Sequence, residues 1–378
     1  TEQGYATLGI SLTPYLSEQT GYKKMFTHFI ELWKKRPTWG IISDFKSKLY
    51  NICNGSDNKV FESVLLMKKW LKMTSDQNNR FIFINLITAH NPYKAPGKWK
   101  KLFLDSKIKN YDEDRVKHLS DSGGYEFLSG KISATEEDWE MVKTFYDQEI
   151  AYMDFRLGQL FEFLKDENLF DSSEIFLTAD HGEAFGKHDL AYHTFGLYED
   201  LIKIPLIYKP SNFRDGIDVE KPVSLIDIFT TILQDTDYKQ NSMYQTFDLK
   251  KYSEIPEERI RFFEFGRPKS ILNTILKRNP SADVSKFDYN FVACRKNQYK
   301  MLIKYKEAER LQYLFNIQED PDEQNNVYEN YPEIAKDFEQ ELRKVIEERN
   351  KNDNHDSKDL KQLGSEGLKK RLEDLGYL

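Results

Sequence analysis

The chain has 378 residues, of which 39% are hydrophobic and 14% aromatic, enough for one large α/β domain with a smaller partner. Lys and Arg number 55 against 62 Asp and Glu, and the net charge of −7 excludes the basic footprint of non-specific nucleic-acid binding. The two cysteines exclude a disulfide framework or a zinc knuckle and slightly favour a cytoplasmic location. No apolar run approaches the ~20 residues of a membrane-spanning helix.

The first elements predicted along the chain are a short buried strand at Ala6–Ser11 and two helices at Lys23–Trp33 and Val60–Met73, where apolar residues recur at helical spacing. Residues Arg80–Thr88 form a nearly continuous apolar run, which is typical of a central strand buried on both faces of a parallel sheet. The polar segment Lys98–Thr135 shows no clear period, and we interpret it as an irregular insertion over the active face.

A helix followed by a strand comes next. An apolar stripe predicts a helix at Glu136–Lys165, and the run at Glu174–Thr178 predicts a second buried strand. A further strand at Ile202–Tyr208 and a helix at Ser224–Leu233 continue the α/β pattern. Ligands of open α/β sheets bind at the carboxyl ends of the strands, so the Asp180–Gly182 segment should lie at the functional edge.

The last third of the chain is more polar and predicts a smaller antiparallel sheet with one packed helix. The predicted strands and helix are Arg261–Phe265, Phe291–Arg295, Lys300–Tyr305 and Tyr331–Arg349. A charged linker at Asn350–Lys361 and a short helix at Leu363–Leu378 should follow. The predicted division is an α/β domain at residues 1–237, an α+β subdomain at residues 238–349, and a linker with a short helical tail at residues 350–378.

Three of the seven histidines follow the strand predicted at Glu174–Thr178: His181, His188 and His193. Asp180 stands immediately before the first of them. A carboxylate beside an imidazole suits a divalent cation, since the carboxylate supplies charge and the neutral imidazole a directional nitrogen. The alternative is a helix cap or a surface turn, which an isolated Asp-His pair commonly forms. The spacing alone leaves both interpretations open.

The ordered set of motifs around these residues closely resembles the sulfatase family of the alkaline-phosphatase superfamily. Its core reads Leu177-Thr178-Ala179-Asp180-His181-Gly182-Glu183, then Gly186-Lys187-His188, Leu197-Tyr198-Glu199-Asp200 and Ile204-Pro205-Leu206-Ile207. Matching segments flank this core at residues 88–96, 146–154, 223–228, 314–326 and 372–377. The resemblance implies an α/β fold with an alkaline-phosphatase-like, mainly parallel sheet flanked by helices and a smaller C-terminal α+β antiparallel-sheet subdomain.

The resemblance also implies a role for three histidines and one aspartate. Asp180 and His181 correspond to ligands of one divalent cation, with Ca²⁺ preferred and Zn²⁺, Mn²⁺ or Mg²⁺ as alternatives. His90 corresponds to the histidine that contacts the sulfate and the leaving-group oxygen, and its alternative is a turn histidine. His193 lies near the family's substrate-binding Lys or His. His90 and His193 are therefore the candidate catalytic residues.

Two further residues are candidates for substrate binding. His188 stands in the G-x-H motif, where it would line the pocket. Lys94 follows the H-x-P-Y motif and could reach the anion, and the alternative is a solvated loop lysine.

The family's nucleophile, a formylglycine made from Cys or Ser in C/S-x-P/A-x-R, has no match in this chain. Cys53 is followed by Asn-Gly-Ser and Cys294 by Arg-Lys-Asn, so formylglycine is not encoded here. The opening segment Gly4–Ser11 resembles the family segment that comes after the nucleophile. We therefore expect the nucleophile and an acidic pair of metal ligands outside this chain. We also expect weak metal binding, and a partner chain or homo-oligomer covering apolar faces.

Three functions compete. The first is metal-dependent hydrolysis of small-molecule or saccharide sulfate esters. The second is hydrolysis of phosphodiesters, phosphomonoesters or phosphonates on the same fold, which His193 as ligand of a second metal would favour. The third is a non-catalytic remnant that binds anions. The resemblance favours the sulfatase, and the missing nucleophile is what would separate the three.

Overall fold

A computed structural model describes residues 4–34, 57–104, 111–213, 215–234 and 245–356. The described residues form two compact units. The first comprises those within Thr1–Phe170 together with Lys277–Pro280, and the second those within Asp171–Leu276 and Ser281–Asp359. Cys53 and the helix predicted at Leu363–Leu378 lie outside the described residues. The boundary predicted between residues 237 and 238 remains a prediction.

A three-stranded parallel sheet organises the first unit. Strand β1 (Ala6–Ser11) lies between β2 (His28–Glu31) and β3 (Arg80–Asn85). The predicted strand at Ala6–Ser11 is confirmed. The strand predicted from Arg80 is also confirmed, but it ends before Thr88 because its last partner is the final residue of β1.

The helix predicted at Lys23–Trp33 is wrong. This segment forms a 3-10 turn at Tyr22–Met25 and then strand β2. The Thr27 backbone N–H donates to the Thr7 hydroxyl at 2.7 Å, which ties the segment to β1. Aromatic and β-branched side chains favour a pleated surface once a partner strand is available, so pairing outweighs the helical spacing.

The described part of the first unit contains four α-helices: α1 (Val60–Met73), α2 (Glu113–His118), α3 (Gly124–Leu128) and α4 (Glu136–Asp166). Helices α1 and α4 confirm the predictions, and a capping box between Thr135 and Asp138 begins α4. Helices α2 and α3, joined by a π-helical turn at Leu119–Gly123, replace the irregular insertion predicted for this region. Such short helices carry too few turns to show a period in the sequence.

The second unit begins with an antiparallel pair, β4 (Ile175–Thr178) and β7 (Leu206–Lys209). Both strands were predicted, although the one predicted at Ile202–Tyr208 begins only at Leu206 because Ile202 ends a short helix. Within the described residues the two strands pair with each other and not with the parallel sheet, which corrects the predicted arrangement. Their connection holds a small hairpin, β5 (Ala184–Phe185) and β6 (Ala191–Tyr192), and a one-turn helix, α5 (Glu199–Ile202). Parallel pairing usually needs a longer crossover helix.

Four antiparallel strands in the order β11-β10-β9-β8 form the larger sheet of the second unit. They are β8 (Arg261–Phe265), β9 (Asn290–Lys296), β10 (Tyr299–Lys306) and β11 (Glu309–Asn316). The first three confirm the predicted strands. Strand β11 was not predicted, because its first half is exposed and polar and lacks an alternating pattern.

Three helices complete the described elements: α6 (Leu225–Leu233), α7 (Lys269–Arg278) and α8 (Pro332–Asp356). Helix α8 packs on the antiparallel sheet, where Phe338 joins a core that includes the buried thiol of Cys294. It extends to Asp356, so the first part of the linker predicted at Asn350–Lys361 is helical, since no Gly or Pro interrupts it. Helix α7 was not predicted. No helix in the described ranges is long and apolar enough to cross a membrane.

Candidate functional site

Asp180 and His181 lie directly after β4, on the loop that leaves its carboxyl end. The Asp180 side chain is 81% exposed. Its Oδ1 accepts the backbone N–H of His181 at 3.1 Å. The His181 Nδ1 atom lies 2.8 Å from the Gly182 carbonyl oxygen, and since a carbonyl only accepts, Nδ1 carries the proton. The Nε2 lone pair is then available, 3.8 Å from Asp180 Oδ1.

These two atoms can serve as ligands of one divalent cation. An ion bound at ~2.0–2.6 Å by each donor can be shared between them. The bond from Nδ1 fixes the tautomer and the ring orientation, as is usual for metal-binding histidines. Two protein donors fall short of the roughly four to eight ligands that Zn²⁺ or Ca²⁺ takes. The described part of the chain contains no group of three or more His, Cys, Asp or Glu placed to hold an ion. Asp180 and His181 alone therefore do not complete a metal site, and their role as metal ligands remains a prediction.

His193 lies against His181. The two rings stack with their centroids 4.1 Å apart and an interplanar angle of 21°. The His193 side chain is only 11% exposed, and its Nδ1 lies 3.3 Å from Oε1 of the buried Glu183. Burial, reinforced by the neighbouring His181, lowers the pKa of His193 to about 3. His193 is therefore neutral near pH ~7 and directs its Nδ1 proton toward Glu183.

His188 occupies a separate stack. It follows the left-handed Gly186 in a 3-10 turn, and its own φ is 55°. Its ring lies flat on that of Tyr198, with centroids 3.6 Å apart and an interplanar angle of 7°. Burial lowers the pKa of His188. These contacts fix the ring in place and keep it largely neutral.

Gly182 joins the loop to helix α5. Its backbone N–H donates to the Leu201 carbonyl at 2.8 Å. A Cβ atom on Gly182 would lie 2.0 Å from the Asp200 carbonyl oxygen, closer than any non-bonded contact allows. The backbone after His181 therefore rests directly on α5, and only glycine permits this approach.

His90 and Lys94 belong to the first unit, in the segment that follows β3. The His90 Nδ1 atom lies 2.7 Å from the Asn91 carbonyl oxygen, so Nδ1 carries the proton and Nε2 the lone pair. The Lys94 ammonium is exposed and pairs with Asp121 at 3.3 Å. Its backbone N–H donates to Glu149 Oε1 of α4 at 2.7 Å. The buried Glu149 thus holds the segment to the long helix.

Three of the six predicted site residues lie together: Asp180, His181 and His193. His188 lies nearby in sequence but in its own stack, and the approach of His90 and Lys94 to the metal ligands remains a prediction. Sequence reasoning missed Glu183 and Glu149, which orient these groups. Both stand inside recognised motifs, D-H-G-E and Y-D-x-E, where a carboxylate among apolar neighbours could have drawn attention to them.

Comparisons with curated proteins find relatives among the arylsulfatases. Arylsulfatase K of Bos taurus is 26% identical over 297 residues, which cover 73% of this chain and 53% of that protein. Its Homo sapiens counterpart is 27% identical over 213 residues, covering 56% of this chain and 38% of that protein. The chain thus spans about half the length, or less, of the curated relatives it matches.

Two solved structures share the fold. A phosphonate monoester hydrolase of Agrobacterium radiobacter gives a TM-score of 0.54 at 17% identity over 76% of this chain and 60% of its own. A protein solved with its substrate D-glucosamine-2-N,6-O-disulfate gives 0.58 at 15% identity over 94% and 82%. The fold is thus the predicted alkaline-phosphatase-like α/β fold. A model of the sulfatase family matches residues 1–238. The chain therefore belongs to the sulfatase family, within the alkaline-phosphatase superfamily.

Proposed function

We propose that the protein hydrolyses sulfate esters with the help of a divalent cation held in part by Asp180 and His181. The main support for the proposal is that the match to the sulfatase family coincides with an oriented pair of candidate metal ligands. His181 Nε2 is oriented by the Gly182 carbonyl and lies 3.8 Å from Asp180 Oδ1 at the carboxyl end of β4. A packed core histidine would not leave such a nitrogen beside an exposed carboxylate.

The chemistry divides among the residues of this chain. Asp180 and His181 hold the cation, which when bound neutralises charge on the ester oxygens. His90 hydrogen-bonds the leaving-group oxygen and stabilises the charge that develops there. His193, kept neutral by burial, orients the substrate next to His181. The family resemblance implies that His188 and Lys94 also contact the anion.

The identity of the metal and the class of the substrate are also proposed. Ca²⁺ suits a site whose remaining ligands are carboxylates, because it prefers oxygen donors, and Zn²⁺ would suit the imidazole better. The nucleophile and the acidic pair are proposed to lie outside this chain. A saccharide sulfate ester is the proposed substrate class, supported by the structural neighbour solved with a disulfated glucosamine.

Hydrolysis of a phosphonate or phosphodiester is the second candidate. The fold is shared with a phosphonate monoester hydrolase. The neutral His193 ring, stacked 4.1 Å from that of His181, is the feature that favours it, because a second imidazole near the first could serve a second metal.

The test compares this chain with a version extended upstream, assayed with p-nitrophenyl sulfate and bis-p-nitrophenyl phosphate, with and without Ca²⁺, Mg²⁺ or Zn²⁺. We expect turnover only from the extended version. His181→Ala should lower it at least about 100-fold, since the cation loses a ligand. His118→Ala is the matched control, because His118 pairs with Glu126 at the surface and should leave turnover unchanged.

Each outcome is informative. Metal-dependent turnover by the 378-residue chain itself would show that an internal residue is the nucleophile. Equal turnover by His181→Ala and the unsubstituted protein would show that His181 is not the proposed metal ligand. Preference for the phosphodiester would select the second candidate, and no turnover by either version would favour the anion-binding remnant.

A further inference from the structure

A buried cluster of charges lies under the antiparallel sheet of the second unit. The Lys300 ammonium lies 2.6 Å from Glu323 Oε1 and 3.4 Å from Glu199 Oε1. The Lys300 and Glu323 side chains are 0% and 1% exposed. Arg295 Nη1 contacts the other oxygen of Glu199 at 2.5 Å. Two cations thus balance two carboxylates, which a buried site requires because an unpaired charge there is strongly destabilising.

The cluster connects three segments that are distant in sequence. Lys300 comes from β10, Glu323 from the chain after β11, and Glu199 begins α5. Glu323 Oε2 also accepts the backbone N–H of Glu199 at 2.6 Å. Tyr198, which precedes the helix, provides no side-chain cap. Glu323 therefore satisfies a first-turn donor of α5, a role that a neighbouring Ser or Asp usually has.

Helix α5 in turn supports the loop that carries the proposed metal ligands. Its Leu201 carbonyl accepts the Gly182 N–H at 2.8 Å, and its Asp200 carbonyl occupies the space that a side chain on Gly182 would need. Asp180 and His181 immediately precede Gly182. A shift of α5 would therefore move the backbone of both ligands.

We propose that Lys300 is a positioning residue for the Asp180–His181 site, which it fixes through Glu323, the first turn of α5 and Gly182. This inference rests on the proposed function, which makes Asp180 and His181 the residues to be positioned, but the experiment below does not require turnover. It gives a physical reason for two of the family-like segments, residues 197–200 and 314–326, to which no chemical step is assigned: their glutamates, Glu199 and Glu323, meet at one lysine.

The experiment measures amide hydrogen exchange residue by residue by NMR, on the full chain without metal. Lys300→Met keeps the approximate length of the side chain but leaves two carboxylates facing each other. We expect exchange at Gly182 to speed up at least about tenfold, while Ile303, in the ladder between β9 and β10, keeps its protection. The double variant Lys300→Met/Glu323→Gln removes the repulsion and keeps an acceptor for Glu199, so it should restore most of the protection.

Lys306→Met is the matched control. Lys306 lies on the same strand and pairs with Asp288 at 2.6 Å, and its loss should leave Gly182 unaffected. If Lys300→Met does not fold, Glu323→Gln alone tests the same link and should give an intermediate acceleration at Gly182. Unchanged exchange at Gly182, or a uniform loss of protection across the sheet, would overturn the proposal. Neither result depends on turnover, so failure of the proposed function is seen separately.

Discussion

At the scale of single residues, Gly182 has the least freedom in the site. The Asp200 carbonyl oxygen would lie 2.0 Å from its Cβ. Gly182→Ala must push the loop away from α5, and we expect the unfolding free energy of the second unit to fall by about 1–3 kcal/mol. Urea denaturation followed by circular dichroism measures this.

Gly158 provides the contrast. It lies inside α4 with open space around its Cα, so Gly158→Ala should stabilise by about 0.5–1 kcal/mol through the helix propensity of alanine. Equal unfolding free energies of Gly182→Ala and the unsubstituted protein would contradict the close contact between Gly182 and α5.

The position of Asp180 and His181 after a strand was predictable at this scale, and the orientation of their side chains was not. Asp180 and His181 follow from the D-H-G motif after a buried strand. The stack of His181 on His193 depends on a hairpin whose strands have two residues each, too short for any periodic signal. The link from Glu199 to Glu323 joins segments whose contact no local pattern encodes.

At the scale of elements, α4 holds the segment that carries His90. Two consecutive side chains of α4 form hydrogen bonds to it. Gln148 donates to the Leu102 carbonyl at 2.8 Å, and Glu149 accepts from the Lys94 N–H at 2.7 Å. Burial raises the pKa of Glu149 to about 7, with the nearby Asp57 adding to the shift. The helix thus fixes the segment through a carboxyl group that titrates near neutrality.

This titration makes the first unit sensitive to pH. The folded state binds the Glu149 proton more tightly than the unfolded state, so the stabilisation is present at low pH and is lost as pH rises through about 7. Between about pH 5 and about pH 8 the unfolding free energy should fall by roughly 2–3 kcal/mol. Glu149→Gln keeps the acceptor for Lys94 and should abolish this fall.

Tryptophan fluorescence in urea measures the effect. The five tryptophans all lie within Thr1–Phe170, so their signal reports the first unit. Glu167→Gln, at the exposed end of α4, is the control and should keep the pH dependence. Parallel pH curves for Glu149→Gln and the unsubstituted protein would contradict the assignment.

Whether a helix or strand could be predicted from the sequence depends on its length and its apolar content. Long or strongly apolar elements such as α1, α4 and β1 could be predicted, because many residues report one period. Strand β2 could not, since its helical spacing yields to pairing with β1. The antiparallel pairing of β4 with β7 depends on what connects them, which strand composition alone does not reveal.

At the scale of the whole molecule, the two units should respond to pH in opposite directions. In the second unit the pKa of His193 is lowered to about 3, so the unfolded state binds this proton more tightly. The stabilisation is present above about pH 6.5 and is lost as pH falls toward about pH 3. Far-UV circular dichroism in urea at about pH 7 and about pH 5 should show the second unit weakening as the first strengthens.

His193→Asn tests this trend, because asparagine retains polarity without a titrating proton. The variant should show a smaller change of the second-unit midpoint over this range, whereas His118→Ala, at the surface, should behave as the unsubstituted protein. A second-unit midpoint that strengthens on acidification in the unsubstituted protein would count against a buried neutral His193.

The bond between Glu199 and Glu323 also has a consequence for biosynthesis. The two residues are separated by 124 positions in the chain. At about 5–20 residues per second, a ribosome needs roughly 6–25 seconds to add that length. Throughout that interval the Asp180–His181 loop has already been synthesised, while Glu323, which supports it through α5, is still untranslated. The final positioning of Asp180 and His181 is therefore a late step in the maturation of this polypeptide, set by translation of the segment that follows β11.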